Sequence, residues 1–364
     1  MPDFGRSRLA KHDPEFANRR AVPLPSGRPI RAATRRSREQ LLTEFDHWLV
    51  EIAGYPCLGS LLEQTMGDPR IINGVLVEFG QCLWREGAPY SRFADTVNAV
   101  ASRAPELKKL LGAAWDLGYQ WIALEPGNHH IAMPLVVLKA LTGLCLLREW
   151  PRIAVLLAAG FAGIMRPSEF LLAKRAQLVL PRDILFERPY ALFTIQLPKT
   201  ATLGAKVQSA RVEPPDIVEM LDCIFGAEPP DAMLWPMSGQ TFRKRFNSLC
   251  RELRPPLNLG EKCRGALDLA SLRAGGATQL FLETDDPHLV QHRGRWMSQK
   301  VMLIYLQELV STTYMSELPE ATRTGIFLMG SQVSWMWPQA VTWVRDGIPA
   351  SSWPSIWCSM RPPS

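Results

Sequence analysis

Leu267–Leu306 reads LDLASLRAGGATQLFLETDDPHLVQHRGRWMSQKVMLIYL, and its spacing decides the fold. Arg273 precedes Trp296 by twenty-three positions, and Tyr305 follows nine later. An arginine on one helix, a tryptophan in a short connection and a tyrosine on the next helix converge if the two helices pack together. Such a convergence would make a site for a phosphodiester. Leu269, Leu272, Gly276 and Leu280 recur along one side of the first helix, with Asp268 placed to begin it. Gly275 and Gly276 each cost about 1 kcal/mol in a helix relative to alanine, so the pair implies close approach by another backbone or by DNA. Asp286–Pro287 starts a short helix, and Ser298 can cap the one leading to Tyr305.

Upstream, the apolar run Ile153–Met165 ends at Arg166, with Glu169 three residues on. An arginine at the end of a buried helix needs a partner, and Glu169 can orient its fork. The run is thirteen residues long, too short to cross a bilayer, and reads as a core helix. The period then changes to that of strands. Tyr190–Leu197 and Lys206–Val212 form a hairpin pattern, with Lys199 where the first strand enters the loop. Each element also has a plainer meaning alone: a structural Arg166/Glu169 pair, a solvated turn lysine, and core packing for Trp296 and Tyr305.

The order of these boxes resembles the tyrosine recombinase (phage integrase) family, through GFAGIMRPSEFLLAKRAQL, the hairpin lysine, ASLRAGGAT, and the interval from Trp296 to Tyr305. The resemblance covers roughly residues 40–310, with distinct motifs only in 166–305. It implies a mainly α fold with a small β-sheet (α+β): a recombinase-like catalytic domain preceded by an all-α core-binding domain. It implies catalytic roles for Tyr305, Arg166, Arg273, Lys199 (Lys206 the runner-up), Trp296 and Glu169, through a 3′-phosphotyrosyl intermediate without metal or cofactor. Duplex DNA is the implied partner and a homo-tetramer on DNA the implied assembly. The chain departs from the family pattern at Ala270, where a histidine usually stands three residues before the second arginine. Alanine neither moves a proton nor donates to a phosphate oxygen, so slow or absent recombination with DNA binding intact is expected. A catalytically inactive DNA-binding protein, a type IB topoisomerase and a helical protein unrelated to DNA are the alternatives. His288 and His292 read as surface or packing residues rather than replacements.

The remainder is organised around that core. Residues 1–40 carry ten Arg/Lys against four acids, a surplus of six that equals the surplus of the whole 364-residue chain, so the other 324 residues balance. The basic pI of 9.0 therefore reports the N-terminal arm. Residues 1–37 read as a disordered basic arm, either a plain solvated tail or a phosphate-contacting or nuclear-import segment. Residues 38–125 read as a bundle of about four short helices, the core-binding unit, with Gly54 and Gly87 as stops and Pro105 opening a new helix. Residues 126–315 form the catalytic unit, entered through Pro126, Gly127 and Asn128. Within it, Thr241–Leu253 carries Arg243, Lys244, Arg245 and Arg251, either a solvated face or the lining of a DNA groove. Residues 316–364 form a Trp/Pro-rich extension that caps the catalytic unit, docks loosely or binds a partner. The seven cysteines are scattered without a C-x-x-C pair, and His129–His130 has no ligand-spaced partner; both suit a reduced, intracellular protein without zinc. The expected location is with DNA, in a nucleus or in a prokaryotic cytoplasm, and no membrane segment is expected.

Overall fold

The structure is a computed structural model, and it describes residues 30, 32–126, 130–184, 188–196, 207–253 and 267–360. The chain divides into two compact units, 1–127 and 128–364. Among the described residues no helix is long and apolar enough to cross a membrane.

Among its described residues the first unit is helical, without strands: α1 (Ala32–Trp48), α2 (Leu58–Gln64), α3 (Pro69–Arg85), α4 (Tyr90–Arg103) and α5 (Gly112–Leu124). Its core combines aliphatic side chains with aromatic ones, Phe45, Trp48 and Phe79 in mutual ring contact and Phe93 stacked on Trp121. Glycines close two of its helical segments: Gly54 at φ 74° and Gly87 at φ 70° adopt the left-handed turn that side chains resist. Pro105 opens a 3-10 turn, and α2, which lies between the stretches read as helical, brings the α-helices among the described residues of this unit to five where about four were expected. Asn73 ties the bundle internally, donating from Nδ2 to the Pro69 and Leu110 carbonyls and accepting from the Ala114 N–H. The first helix begins at Ala32, inside the stretch expected to be a disordered arm. Ala-Ala followed by long basic and acidic side chains has good helix propensity, and composition alone conceals that. Residues 1–29 lie outside the described set.

The second unit is built on α6 (Leu135–Leu147) and α7 (Pro151–Ala162), whose apolar surfaces are almost wholly buried. Beside them lies a three-stranded antiparallel sheet, β1 (Leu178–Val179), β2 (Ala191–Ile195) and β3 (Gln208–Val212), in that order. Phe193 pairs with Leu178 on one side and Ala210 on the other, and its side chain enters the core. The expected hairpin is thus β2–β3, and the two-residue β1 was too short to show a period. The hairpin loop, 197–206, lies outside the described residues. Further helices are α8 (Pro167–Leu171), α9 (Pro215–Phe225), α10 (Gly239–Leu253), α11 (Ser271–Thr284), α12 (Pro287–Gly294), α13 (Gln299–Leu303) and α14 (Glu308–Thr313). Proline at the first position of α7, α8, α9 and α12 gives up an N–H that a helix start leaves unpaired anyway.

Most of the C-terminal stretch is helical and packed on the second unit. Glu320–Arg345 is a 26-residue helix, α15, packed along α6, followed by α16 (Trp353–Ser359). Ile326, Gly330, Val333, Trp337, Ala340 and Val341 face inward at intervals of three and four, while Phe327 and Leu328 lie exposed and blur that period in the sequence. Gly330 lets the two helices approach until a Cβ there would sit 3.1 Å from the Val136 carbonyl oxygen. Trp337 donates its indole N–H to the Asp216 carbonyl at 3.0 Å, and Trp343 packs against Trp353 and Trp357.

Candidate active site

Two tight turns bring the site together, and each places a non-glycine residue in the left-handed region. The first ends α7. Ile164 has φ 48°, with its N–H on the Phe161 carbonyl and the next N–H, of Met165, on the Gly160 carbonyl. A β-branched residue in that region costs roughly 1–2 kcal/mol. Burial of the Ile164 side chain with Ala277, Val290, Trp296 and Met302 offsets the cost. The second turn ends α12, where Arg295 has φ 58° and the Trp296 N–H bonds the Gln291 carbonyl. The turns are joined directly, since Arg295 donates to the Ile164 carbonyl at 3.1 Å.

Beyond the first turn, Arg166 caps α8, and Glu169 accepts both its backbone N–H at 2.9 Å and its guanidinium at 2.8 Å. The same carboxylate accepts from Arg295 at 2.7 Å and lies 4.0 Å from Arg273. Three arginines thus surround one carboxylate. The side chains of Arg273 and Arg295 are only 3% and 7% exposed, against 23% for Arg166. Burial draws both arginines below their ordinary pKa, with repulsion from Arg166 adding to the effect. Burial would raise the Glu169 carboxyl, but the attraction of Arg295, the Arg166 N–H bond and the remaining guanidiniums leave it below its ordinary value.

Arg273 donates to the Ile164 carbonyl at 2.6 Å and to the Gly294 carbonyl, and its guanidinium lies 4.6 Å from the Trp296 ring centroid and 5.7 Å from that of Tyr305. The two rings are 4.9 Å apart. Gly294 makes room for the indole: a Cβ there would overlap its ring at 1.7 Å. Tyr305 lies in the turn after α13 rather than on a helix, because that helix stops at Leu303 and the chain tightens into i→i+3 bonds. Its carbonyl accepts from the Thr278 hydroxyl, which in turn accepts from the Gln307 N–H, tying the tyrosine segment to α11. The Nε atoms of Arg273 and Arg295 and the indole Nε1 of Trp296 are buried donors with no acceptor. Three such donors in one cluster leave it short of acceptors.

The structure therefore brings together Arg166, Glu169, Arg273, Trp296 and Tyr305. Lys199 and its runner-up Lys206 lie outside the described residues. Ala270 stands at the start of α11, where the Asp268 carboxylate accepts the Ala270 and Ser271 N–H groups and its other oxygen pairs with His130 at 2.9 Å. His288 and His292 are exposed on α12. Arg295 escaped the sequence reading because arginines are common near basic boxes and nothing in its spacing pointed to Glu169. The only trace was a non-glycine residue where a helix stops. Among the described residues no group of three His, Cys, Asp or Glu side chains is placed to hold a metal ion.

No model of a known protein family matches the chain, and no curated protein matches it. Among solved structures, the Tn1549 transposon integrase in complex with transposon right end DNA aligns with TM-score 0.51 at 11% identity, over 76% of this chain and 90% of that one. The XerH site-specific recombinase bound to difH substrate aligns with TM-score 0.39 at 14% identity, over 68% and 76% of the respective chains. XerA recombinase aligns with TM-score 0.35 at 15% identity, over 78% and 99%. At this identity the likeness to the transposon integrase is one of architecture, and the fold of this chain is that of a tyrosine recombinase, mainly helical with a small antiparallel sheet.

Proposed function

We propose that the chain binds duplex DNA and cuts and rejoins one strand through Tyr305. The observation that carries this reading is the Tyr305 ring packed on Trp296 and over Arg273, beside a guanidinium cluster with unsatisfied buried donors. Tyr305 attacks the phosphorus and forms a 3′-phosphotyrosyl link. Arg166 and Arg273 hold the non-bridging oxygens, Trp296 donates its indole N–H, Glu169 orients Arg166, and Lys199 protonates the leaving 5′-oxygen. The covalent link conserves the bond energy, so no nucleotide is consumed. Residues 38–125 serve as a DNA-binding unit and 126–315 carry the chemistry, with four copies assembling on DNA for recombination. The basic arm within 1–37 contacts phosphates, and its deletion is expected to flatten the salt dependence of binding.

Ala270 slows the reaction, because a positioned acid–base group contributes about 10² to 10⁴-fold. A nicked suicide duplex tests the reading: covalent protein–DNA is expected to accumulate slowly, to vanish in Tyr305→Phe and to form faster in Ala270→His. Duplex binding without any adduct, in the wild type and in Ala270→His alike, would overturn it. That result would support a second reading, a DNA-binding protein without strand cleavage. Arg273 favours that reading, because both its terminal nitrogens already donate to backbone carbonyls. Relaxation of supercoiled plasmid without strand exchange would mark a topoisomerase.

A further inference from the structure

Among the described residues, Arg166, Arg273 and Arg295 against Glu169 leave two positive charges in excess, one more than a phosphodiester supplies in the negative sense. When Tyr305 attacks, its oxygen–phosphorus bond forms as the phosphorus–5′-oxygen bond breaks. The phenol proton passes to solvent and the departing oxygen takes one up, so protons balance. The five-coordinate species between them carries two negative charges. A cluster with two excess positive charges complements that species better than the monoanionic ground state, and stabilisation specific to the transition state is what accelerates a step.

We propose that Arg295 is a positioning residue of this site that supplies the second excess charge. The inference rests on the strand-cleavage reading above. Its guanidinium is locked by four acceptors, the carbonyls of Gly163, Ile164 and Arg293 and the carboxylate of Glu169. A charge held so firmly needs no reorganisation as the reaction proceeds. It acts through two neighbours. It shares the Ile164 carbonyl with Arg273, and it shares Glu169 with Arg166, so both phosphate-facing arginines take their places from it. A residue present only to fasten the two turns would not need to be charged at a place where burial opposes the charge. With Ala270 unable to donate a proton, charge compensation carries more of the work of steadying the oxygens.

The test compares two forms of one nicked suicide duplex, drawn by rounds of binding from a randomised pool. One carries the natural phosphodiester at the cleaved position and the other a methylphosphonate, which lacks the phosphate charge. The ratio of the two cleavage rates is taken within each protein, so loss of folded material cancels. R295M is expected to slow phosphodiester cleavage about 10² to 10³-fold, to slow methylphosphonate cleavage less than about tenfold, and to bind the duplex as wild type does. R295K is expected to keep the wild-type ratio. An equal fall on both substrates in R295M, or the same change of ratio in R295K, would reduce Arg295 to a fastener and overturn the inference alone. Absence of adduct in the wild type would overturn it together with the cleavage reading.

Discussion

Glu169 accepts from Arg295 at 2.7 Å, and both side chains are almost closed to solvent, at 6% and 7% exposure. The carboxylate is the one acid among three guanidiniums. Glu169→Gln is expected to destabilise the second unit by about 3–5 kcal/mol, since removing one member of a buried pair leaves charge uncompensated. The folded carboxyl is held below its ordinary value, so its contribution is full above the usual carboxylate range and is lost as pH falls through the depressed value. Urea titrations should therefore show the gap between wild type and Glu169→Gln shrinking on acidification. A gap that stays constant from neutral to acid pH would show that the pair does not stabilise the fold.

Glu149, at φ 60°, ends α6 where glycine would be unstrained, and it is exposed. Its N–H bonds the Leu146 carbonyl and that of Trp150 the Cys145 carbonyl, so the turn is made regardless of side chain. Glu149→Gly is expected to raise stability by about 0.5–1 kcal/mol, the relief of left-handed strain less the extra freedom of the unfolded chain. A lower urea midpoint in the variant would refute the assignment.

Gly276 faces the end of α7 so closely that a Cβ would lie 2.1 Å from the Phe161 carbonyl oxygen. Main chain cannot yield as a side-chain tip can. Gly276→Ala is therefore expected to cost about 3 kcal/mol or more, at the upper end of overpacking effects. Thermal melting of the variant is the check, and a wild-type melting temperature would contradict the contact.

Trp353 is fully buried, packs on Trp343 and donates its indole N–H to the Ile348 carbonyl. Trp353→Ala is expected to destabilise the second unit by about 3–5 kcal/mol. The same loss under chemical denaturation should follow removal of 346–364 and confirm that the C-terminal stretch completes the core. Unchanged stability in both would return that stretch to the status of an appendage.

The sequence reading was strongest where chemistry forces a residue type. Arg273, Trp296 and Tyr305 stood out by order and interval, and the glycine pair in α11 announced a close approach that proved to be backbone, the Met133 and Phe161 carbonyls. Apolar helices such as α6 and α7 were legible because burial on all sides leaves few polar residues. Three things were hidden. The helix from Ala32 begins in charged residues without an apolar face, α15 carries exposed Phe327 and Leu328 among its inward positions, and Arg295 gains its meaning only from a partner 126 residues away in the chain. Patterns within one element report that element, whereas a contact between distant turns leaves no local period to read.

The separation between the turn of Ile164 and the helix of Arg273 is set by Gly276 lying against the Phe161 carbonyl, one peptide group thick. At that contact backbone meets backbone, and side chains reach the same junction through Phe161 beside Gly275 and Ile164 beside Ala277. The arginine cluster is thereby held by main chain at its closest point. A designer could repack α6 and α15 while keeping Phe161 and Ile164, and the gap across which Arg273 and Arg295 share one carbonyl would keep its width.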